Sequence, residues 1–436
     1  MSDFGAVHST EASILNGLDL ELPTGKYFSA ALEQAVKGGR VPVDRIDDAL
    51  IRRLTKMIER GVFVAKPAER SPNASIPILA HGDVARRIAE QSMVLLKNDG
   101  DLLPLDANHL DTVALIGPYA VRAMTGGGGS SYVNPFYTIR PEDGIYSHMR
   151  SQKKLVVLDG SDLTAAVDAA RKAQVAIVMV GEDEGEDHDH SLALSDRQNQ
   201  LISAVAAANA RTVVVIKSGS AVLMPWLSSV PAVLEAWYPG EEDGNAAADV
   251  LFGDANPGGR LPITFPSRSE DTLARNPEQY PGVGGKVHYS EGLLVGYRDN
   301  EVRKSPPLFA FGFGLSYTTF RYSGLTVSNV GTSSNPQVKI SFRVTNTGRR
   351  AGSDVPQIYV GFPSIAEGDE PLQLKGFQKV LLAPSESKTV EVTLRKEAFS
   401  YWSEAAKGWK IPDGEFQIKL AASSEDIRDT KGVVLH

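Results

Sequence analysis

The chain has 436 residues, 42% of them apolar and 22% charged, with a net charge of −8. At about 150 residues per domain that length predicts two or three domains, each able to bury a core. The acidic excess argues against a nucleic-acid binder, the ordinary composition against disorder, and the lack of any long apolar run against a membrane-spanning helix.

Cysteine is absent, which removes disulfides, thiolate catalysis and zinc sites built on Cys. The start, Met1-Ser2-Asp3-Phe4-Gly5, reads as neither a signal peptide nor a disordered tail. It reads as the middle of a larger unit. Residues 1–63 read as the end of an α/β unit. Pro42 followed by Asp44-Arg45-Ile46-Asp47-Asp48 suits a helix start. Ile46, Leu50, Leu54, Met57 and Ile58 recur at helical spacing, and Gly61 stops the helix. Residues 64–79 read as a linker.

From 80 to 265 short apolar runs alternate with helical segments. The runs are Val113–Ile116, Leu155–Leu158, Val175–Val180, Thr212–Ile216 and Ala232–Leu234. Continuous apolar runs predict strands buried on both faces, hence a mostly parallel sheet in a doubly wound α/β sandwich. Helices are expected over 161–173 and over 195–209, the latter capped by Ser195. Residues 266–314, rich in Pro, Gly and Tyr, lack periodicity and read as a connection. From 315 to 436 the pattern becomes all-β, with runs at Gln337–Thr345, Gln357–Val360, Lys388–Leu394 and Phe416–Leu420. That spacing predicts a small β-sandwich.

Four features carry candidate chemistry. Asp3 is an acid just ahead of Phe4-Gly5-Ala6, and α/β barrels place catalytic groups at strand ends; a helix cap or a solvated Asp is the commoner meaning of such a position. Gly181 to His190 is an acidic loop directly after the run 175–180, where open α/β sheets bind ligands. Its clustered carboxyls suit a general acid, a solvated loop or a metal site in comparable measure. Gly126–Ser131 lacks the phosphate-loop and dinucleotide patterns, so a rim or tight turn is the better reading. Trp237-Tyr238-Pro239-Gly240-Glu241 and Tyr289-Ser290-Glu291-Gly292 mix aromatics with acids, most simply as packing between domains.

Taken in order, several segments resemble glycoside hydrolase family 3, the β-glucosidase and β-xylosidase family. Ser2-Asp3-Phe4-Gly5-Ala6 is similar to its nucleophile motif, with Phe4 where Trp is usual. Gly17-Leu18-Asp19-Leu20-Glu21-Leu22-Pro23 resembles the segment that follows. Leu95-Leu96-Lys97-Asn98-Asp99-Gly100, Pro239-Gly240-Glu241-Glu242-Asp243-Gly244, Asn256-Pro257-Gly258-Gly259-Arg260-Leu261-Pro262, Phe311-Gly312-Phe313-Gly314-Leu315-Ser316-Tyr317 and Leu374-Lys375-Gly376-Phe377 continue the match. Each is weak alone; the order is specific.

The resemblance implies the end of a (β/α)8-type barrel, the α/β sandwich, and a C-terminal fibronectin type III-like β-sandwich. It implies Asp3 as nucleophile and Glu184 as acid/base, through the loop Glu184-Gly185-Glu186-Asp187-His188. His188 stands there where Arg is usual, Asp187 orients the loop, and Glu182 and Glu186 are rivals to Glu184. The implied activity is retaining release of terminal β-D-glucose from β-linked oligosaccharides or aryl and alkyl glucosides, with no metal or organic cofactor. A β-xylosidase or α-arabinosidase is the nearest alternative. An inactive accessory or carbohydrate-binding product is the second, because most of the barrel and its sugar-gripping residues are expected ahead of Asp3. A homo-oligomer or a partner chain supplying those strands stays open. Nucleic acid and membrane are not expected partners, and a periplasmic or secreted location is the family's usual one.

Overall fold

The computed structural model describes residues 1–63, 77–149, 153–186, 189–272, 276–365 and 371–435. Asp187, His188 and the 64–76 part of the expected linker lie outside those residues. The chain divides into two units, Met1–Ile76 and Pro77–His436.

In the first unit, helices α1 (Glu11–Leu15), α2 (Ala30–Lys37) and α3 (Val43–Glu59) enclose a small core of Ile14, Ala35 and Val41. The α3 helix starts after Pro42, carries Asp44 in its first turn, and is followed by Gly61 at φ 71. An acid complements the helix dipole there, and a left-handed glycine terminates the helix cheaply. The expected apolar stripe forms, yet Leu50, Leu54 and Ile58 on it are exposed, as is Ile51.

The second unit opens with α4 (Ile78–Ser92) and a six-stranded sheet. Its strands are β1 (Val94–Asn98), β2 (Thr112–Ile116), β3 (Lys154–Leu158), β4 (Val175–Gly181), β5 (Thr212–Lys217) and β6 (Ala232–Glu235). The order is β1-β6-β5-β4-β2-β3. All pairings are parallel except β1 with β6. Successive strand side chains point to opposite faces. Leu115, Ile177, Met179, Val213 and Val215 therefore meet Ile145 of α5 (Pro141–His148) and Ala246–Ala248 of α8 (Asp243–Phe252). Ala114, Ile116, Val178, Val180, Val214 and Ile216 meet α6 (Leu163–Lys172) and α7 (Asp196–Ala208) on the other face. Each fully buried Val, Leu or Ile contributes about 1.5–3 kcal/mol of transfer free energy. This is the doubly wound sandwich expected from the apolar runs.

Local details match the sequence reading with two corrections. Ser195 caps α7 by accepting the Gln198 N–H, and Asp162 caps α6 through the Ala165 N–H. The run Leu155–Leu158, expected to be buried on both faces, is the edge strand β3 and is half-buried. The stretch 266–314 is not wholly irregular, since α9 (Tyr297–Arg303) lies within it. Helices α5 and α8 cross at glycines: a Cβ on Gly144 would sit 2.0 Å from the Gly244 carbonyl oxygen.

The C-terminal part is an antiparallel sandwich. Its strands are β7 (Phe320–Asn329), β8 (Gln337–Asn346), β9 (Gly352–Asp354), β10 (Gln357–Gly361), β11 (Gln373–Phe377), β12 (Val380–Leu382), β13 (Ser387–Arg395), β14 (Tyr401–Ser403), β15 (Gly408–Lys410), β16 (Gly414–Ala421) and β17 (Ile427–Leu435). One sheet runs β13-β8-β7 and the other β11-β10-β16-β17. Val338, Ile340, Phe342 and Val344 alternate inward on β8 and meet Phe399, Phe416 and Leu420. Arg260 ties the α/β sandwich to this domain, placing Nη2 2.6 Å from Asp354, which also accepts the Tyr322 hydroxyl at 2.7 Å. Among the described residues no helix is long and apolar enough to cross a membrane.

Candidate active site

Asp3 sits on a segment paired to residues 20–22 by backbone. Ser2 N–H donates to the Leu20 carbonyl at 2.9 Å and Gly5 N–H to the Leu22 carbonyl at 3.0 Å. The Ser2 hydroxyl accepts the Leu22 N–H at 2.9 Å, and Phe4 and Leu22 form a parallel bridge. The Asp3 side chain is exposed; its Oδ1 accepts the N–H of Phe4 at 2.7 Å. The paired segment is itself anchored. Asp19 takes Arg52 and Arg45 at 2.7 and 2.8 Å, and Glu21 accepts the N–H groups of Tyr27 and Phe28. The Arg52 hydrogen bond, then Arg45, holds the Asp19 carboxyl well below its usual range against the opposing effect of burial. Arg45 and Arg52 come from α3, so the long helix secures the segment to which the Asp3 backbone is paired.

The acidic loop leaves the carboxyl end of β4, and its three Glu side chains meet three different environments. Glu182 turns inward. Burial raises its pKa, and among the described residues no donor reaches its Oε1. The Glu184 side chain is 11% exposed. Its Oε1 accepts the Ser220 hydroxyl at 3.1 Å, and His190 Nε2 stands 3.4 Å from Oε2. Gly219 lies against the same carboxylate: a Cβ there would be 2.6 Å from Oε2. Glu186 is exposed; a hydrogen bond from the Ser130 side chain, and then the Ser130 N–H 2.8 Å from Oε2, keep its pKa low. Asp183 pairs with Arg122 at 2.6 Å.

Two amides of the glycine-rich loop, those of Gly128 and Ser130, are spent on this acidic loop. Gly128 N–H donates to the Glu184 carbonyl at 2.9 Å, and Gly128 and Gly185 form a parallel bridge. Gly129 is at φ 76, with Glu186 2.5 Å from where a Cβ would be. A turn pressed against a neighbouring loop, rather than a phosphate cradle, is what the glycines permit. The aromatic pair after β6 divides its work. Trp237 stacks edge-on to Phe265 at 6.2 Å, as packing. Tyr238 turns into the acidic loop and lines an open groove with Gly127, Gly128, Ser130, Ser131, Glu184 and Glu186. Ser220, His190 and Tyr238 were not singled out for Glu184 from sequence. His190 was visible only as the end of the acidic loop and Tyr238 only within an aromatic cluster, and Ser220, on a separate loop, left no signal.

Beneath the site, Lys217 and Asp243 form a fully buried pair at 2.5 Å. Burial pushes Lys217 down and Asp243 up while their mutual attraction opposes both shifts. Glu235 is also fully buried, and burial raises its pKa well above the usual carboxylate value. Among the described residues one group has metal-ligand chemistry: His148, Asp249 and Asp254. Arg86 occupies both Asp249 oxygens, and the Asp249 hydrogen bond raises His148. Arg86 on Asp249, and His148 Nε2 3.0 and 3.2 Å from Asp249 and Asp254, account for that group.

Comparison with known proteins matches residues 93–317 to the glycosyl hydrolase family 3 C-terminal domain and 354–424 to a fibronectin type III-like domain. The chain is 38% identical to thermostable beta-glucosidase B of Acetivibrio thermocellus over 98% of its own length and 57% of that protein's. It is 35% identical to an exo-alpha-(1->6)-L-arabinopyranosidase of Bifidobacterium breve, covering 58% of it. The crystal structure of the beta-D-glucoside glucohydrolase of Trichoderma reesei superposes with a TM-score of 0.87 at 31% identity, and the chain covers 67% of it. DesR, a beta-glucosidase of Streptomyces venezuelae in complex with D-glucose, gives 0.88 at 30% identity, with 72% covered. The chain thus spans somewhat over half the length of the relatives matched by sequence.

Proposed function

The chain belongs to glycoside hydrolase family 3, and from that premise we propose that it releases terminal β-D-glucose from β-glucosides with retention of configuration. Asp3 is the nucleophile in this reading and Glu184 the acid/base. The Asp3 carboxylate attacks the anomeric carbon, the glycosidic C–O bond breaks, and the Glu184 proton passes to the leaving oxygen. Glu184 then takes a proton from water, whose oxygen attacks the glycosyl ester and frees Asp3. Retaining enzymes hold the two carboxyls about 5–5.5 Å apart and in unlike environments.

The observation that carries the assignment is the setting of Glu184. It lies beyond the carboxyl end of a parallel strand, in an open groove, with its carboxylate fixed by Ser220. Glu182 is turned inward, and Glu186 is exposed with its carboxyl held low by Ser130, whereas Glu184 is shielded and supported by Ser220. Asp3 supports the same reading from its side, as an exposed acid on an ordered backbone.

The test is release of nitrophenol from aryl β-glucosides, β-xylosides and α-arabinopyranosides by the full chain and by Asp3→Ala. Glucoside release that falls to background in Asp3→Ala is expected. Release that survives the substitution overturns the nucleophile assignment. Faster turnover of the pentosides would favour the second reading, to which the arabinopyranosidase relative at 35% identity lends weight. No release from any glycoside would favour an accessory role.

A further inference from the structure

Tyr238 is joined to the acidic loop in a way that ordinary packing does not require. Strand β6 ends at Glu235, and the next residue but one, Trp237, has φ 56. A non-glycine residue in that conformation is strained unless its surroundings hold it. Here the buried Glu235 carboxyl accepts the Trp237 N–H at 2.8 Å, and the Trp237 ring is pinned against Phe265, with Nε1 3.2 Å from the Ser92 carbonyl. The kink thus fixed directs the next side chain, Tyr238, toward residues 182–184.

The Tyr238 hydroxyl then makes two bonds to the backbone of one loop. It accepts the N–H of Glu184 at 3.0 Å and donates to the carbonyl of Glu182 at 2.9 Å. A hydroxyl can do both at one point. The following peptide group is held by Gly128, whose N–H donates to the Glu184 carbonyl at 2.9 Å. Glu184 is therefore fixed at N–H, at C=O and at its carboxylate. Burial pushes the Tyr238 phenol up to about 12, so it keeps its proton at any ordinary assay pH. Its ring fits between two glycines: a Cβ on Gly219 or Gly127 would lie 3.3 or 3.4 Å from Cε2.

We propose that Tyr238 is a positioning residue for catalysis: its hydroxyl braces the 182–184 backbone so that Glu184 presents its carboxyl at one fixed point. This rests on the acid/base reading of Glu184. Proton transfer depends steeply on geometry, and a misplacement of about 1 Å can lower a rate by about 10²-fold.

Tyr238→Phe keeps the ring and removes the brace. Two measurements on the full chain test it. The first is hydrogen exchange of the peptide containing residues 182–186. The Glu184 amide loses its acceptor in the variant, and its exchange is expected to rise about tenfold, the effect of removing one hydrogen bond. The second is the dependence of hydrolysis on the leaving group. An alkyl β-glucoside needs a proton from the acid, and a 2,4-dinitrophenyl β-glucoside does not. In kcat/KM, which reports the first step alone, the variant is expected to lose about 10²-fold on the alkyl glucoside and to stay within about twofold on the dinitrophenyl substrate, whose departure needs no acid. A purely structural role would lower both rates alike.

Unchanged exchange at Glu184 overturns the proposal, with or without turnover. So does an equal loss on both substrates. Glu184→Gln is the reference: if it hydrolyses the alkyl glucoside at the wild-type rate, the acid/base reading itself has failed. If Glu184→Gln is impaired while Tyr238→Phe behaves as wild type, only the brace has failed.

Discussion

Around Asp3 the chain supplies backbone pairing and a half-exposed ion network; around Glu184 a tyrosine, a serine, a histidine and a glycine-rich turn converge. The contrast extends to the units that carry them. The first buries Ile14, Ala35 and Val41 and leaves Leu50, Ile51, Leu54 and Ile58 of α3 in contact with water. The second has a sheet covered on both faces, with buried charges beneath the site. The two carboxyls proposed for catalysis thus receive unlike support. Asp3 is ordered through its main chain and left open. Glu184 is ordered through its side chain and main chain together.

That contrast can be broken by substitution, and the largest effect is expected in the second unit. Lys217→Met leaves Asp243 buried without its partner and should lower stability by about 3–5 kcal/mol in urea denaturation. Replacing both members with apolar residues should restore most of that loss. A small effect of Lys217→Met would mean that the pair contributes little to the sandwich. In the first unit Arg45→Ala removes one of the two guanidinium groups on Asp19. The change should cost about 1.5–3 kcal/mol and be confined to faster amide exchange over residues 18–22. Spread of that effect into the α/β sandwich would erase the distinction between the units.

A smaller effect is expected with pH. Asp249 raises His148 above 6.5, the usual histidine value, chiefly by a hydrogen bond. Burial, and then a hydrogen bond with Asp249, raises Glu90 to about 7. Both groups have folded pKa values above their unfolded ones. Each therefore contributes stability that is present below its unfolded value and lost as pH rises through the folded one. The urea midpoint should fall between about pH 6 and about pH 8. The double variant His148→Gln, Glu90→Gln should flatten the slope. A midpoint that rises across that window would contradict the assignment.

Much of the second unit was legible because its strands are apolar on both faces. Val175–Val180 could hardly be anything else, and every residue of β4 is buried. Strand β1 was not picked out, since its three buried residues are followed by Lys97 and Asn98. Helix α8 was hidden by its composition: Gly244 and Ala246–Ala248 are there for close approach to α5, which leaves no amphipathic stripe. In the first unit the helical spacing of α3 was plain, but spacing alone does not say what covers a stripe. At the site, the acidic loop was visible as charge beyond a strand. Asp3 and Glu184 were distinguished from other acids only by resemblance to a family. The supports of Glu184 are set by loop geometry: Tyr238 reaches it through the left-handed Trp237, and no periodicity encodes that turn.

The central claim is that Asp3 forms a covalent bond to the sugar while Glu184 supplies the proton. The direct measurement is mass mapping of the full chain after incubation with 2,4-dinitrophenyl 2-deoxy-2-fluoro-β-glucoside. That reagent needs no acid for its first step and stalls at the glycosyl ester. The predicted result is one fluoroglucosyl group per chain, located on the peptide that carries Asp3. A label on any other carboxylate, or turnover of β-glucosides with no label at Asp3, would contradict it.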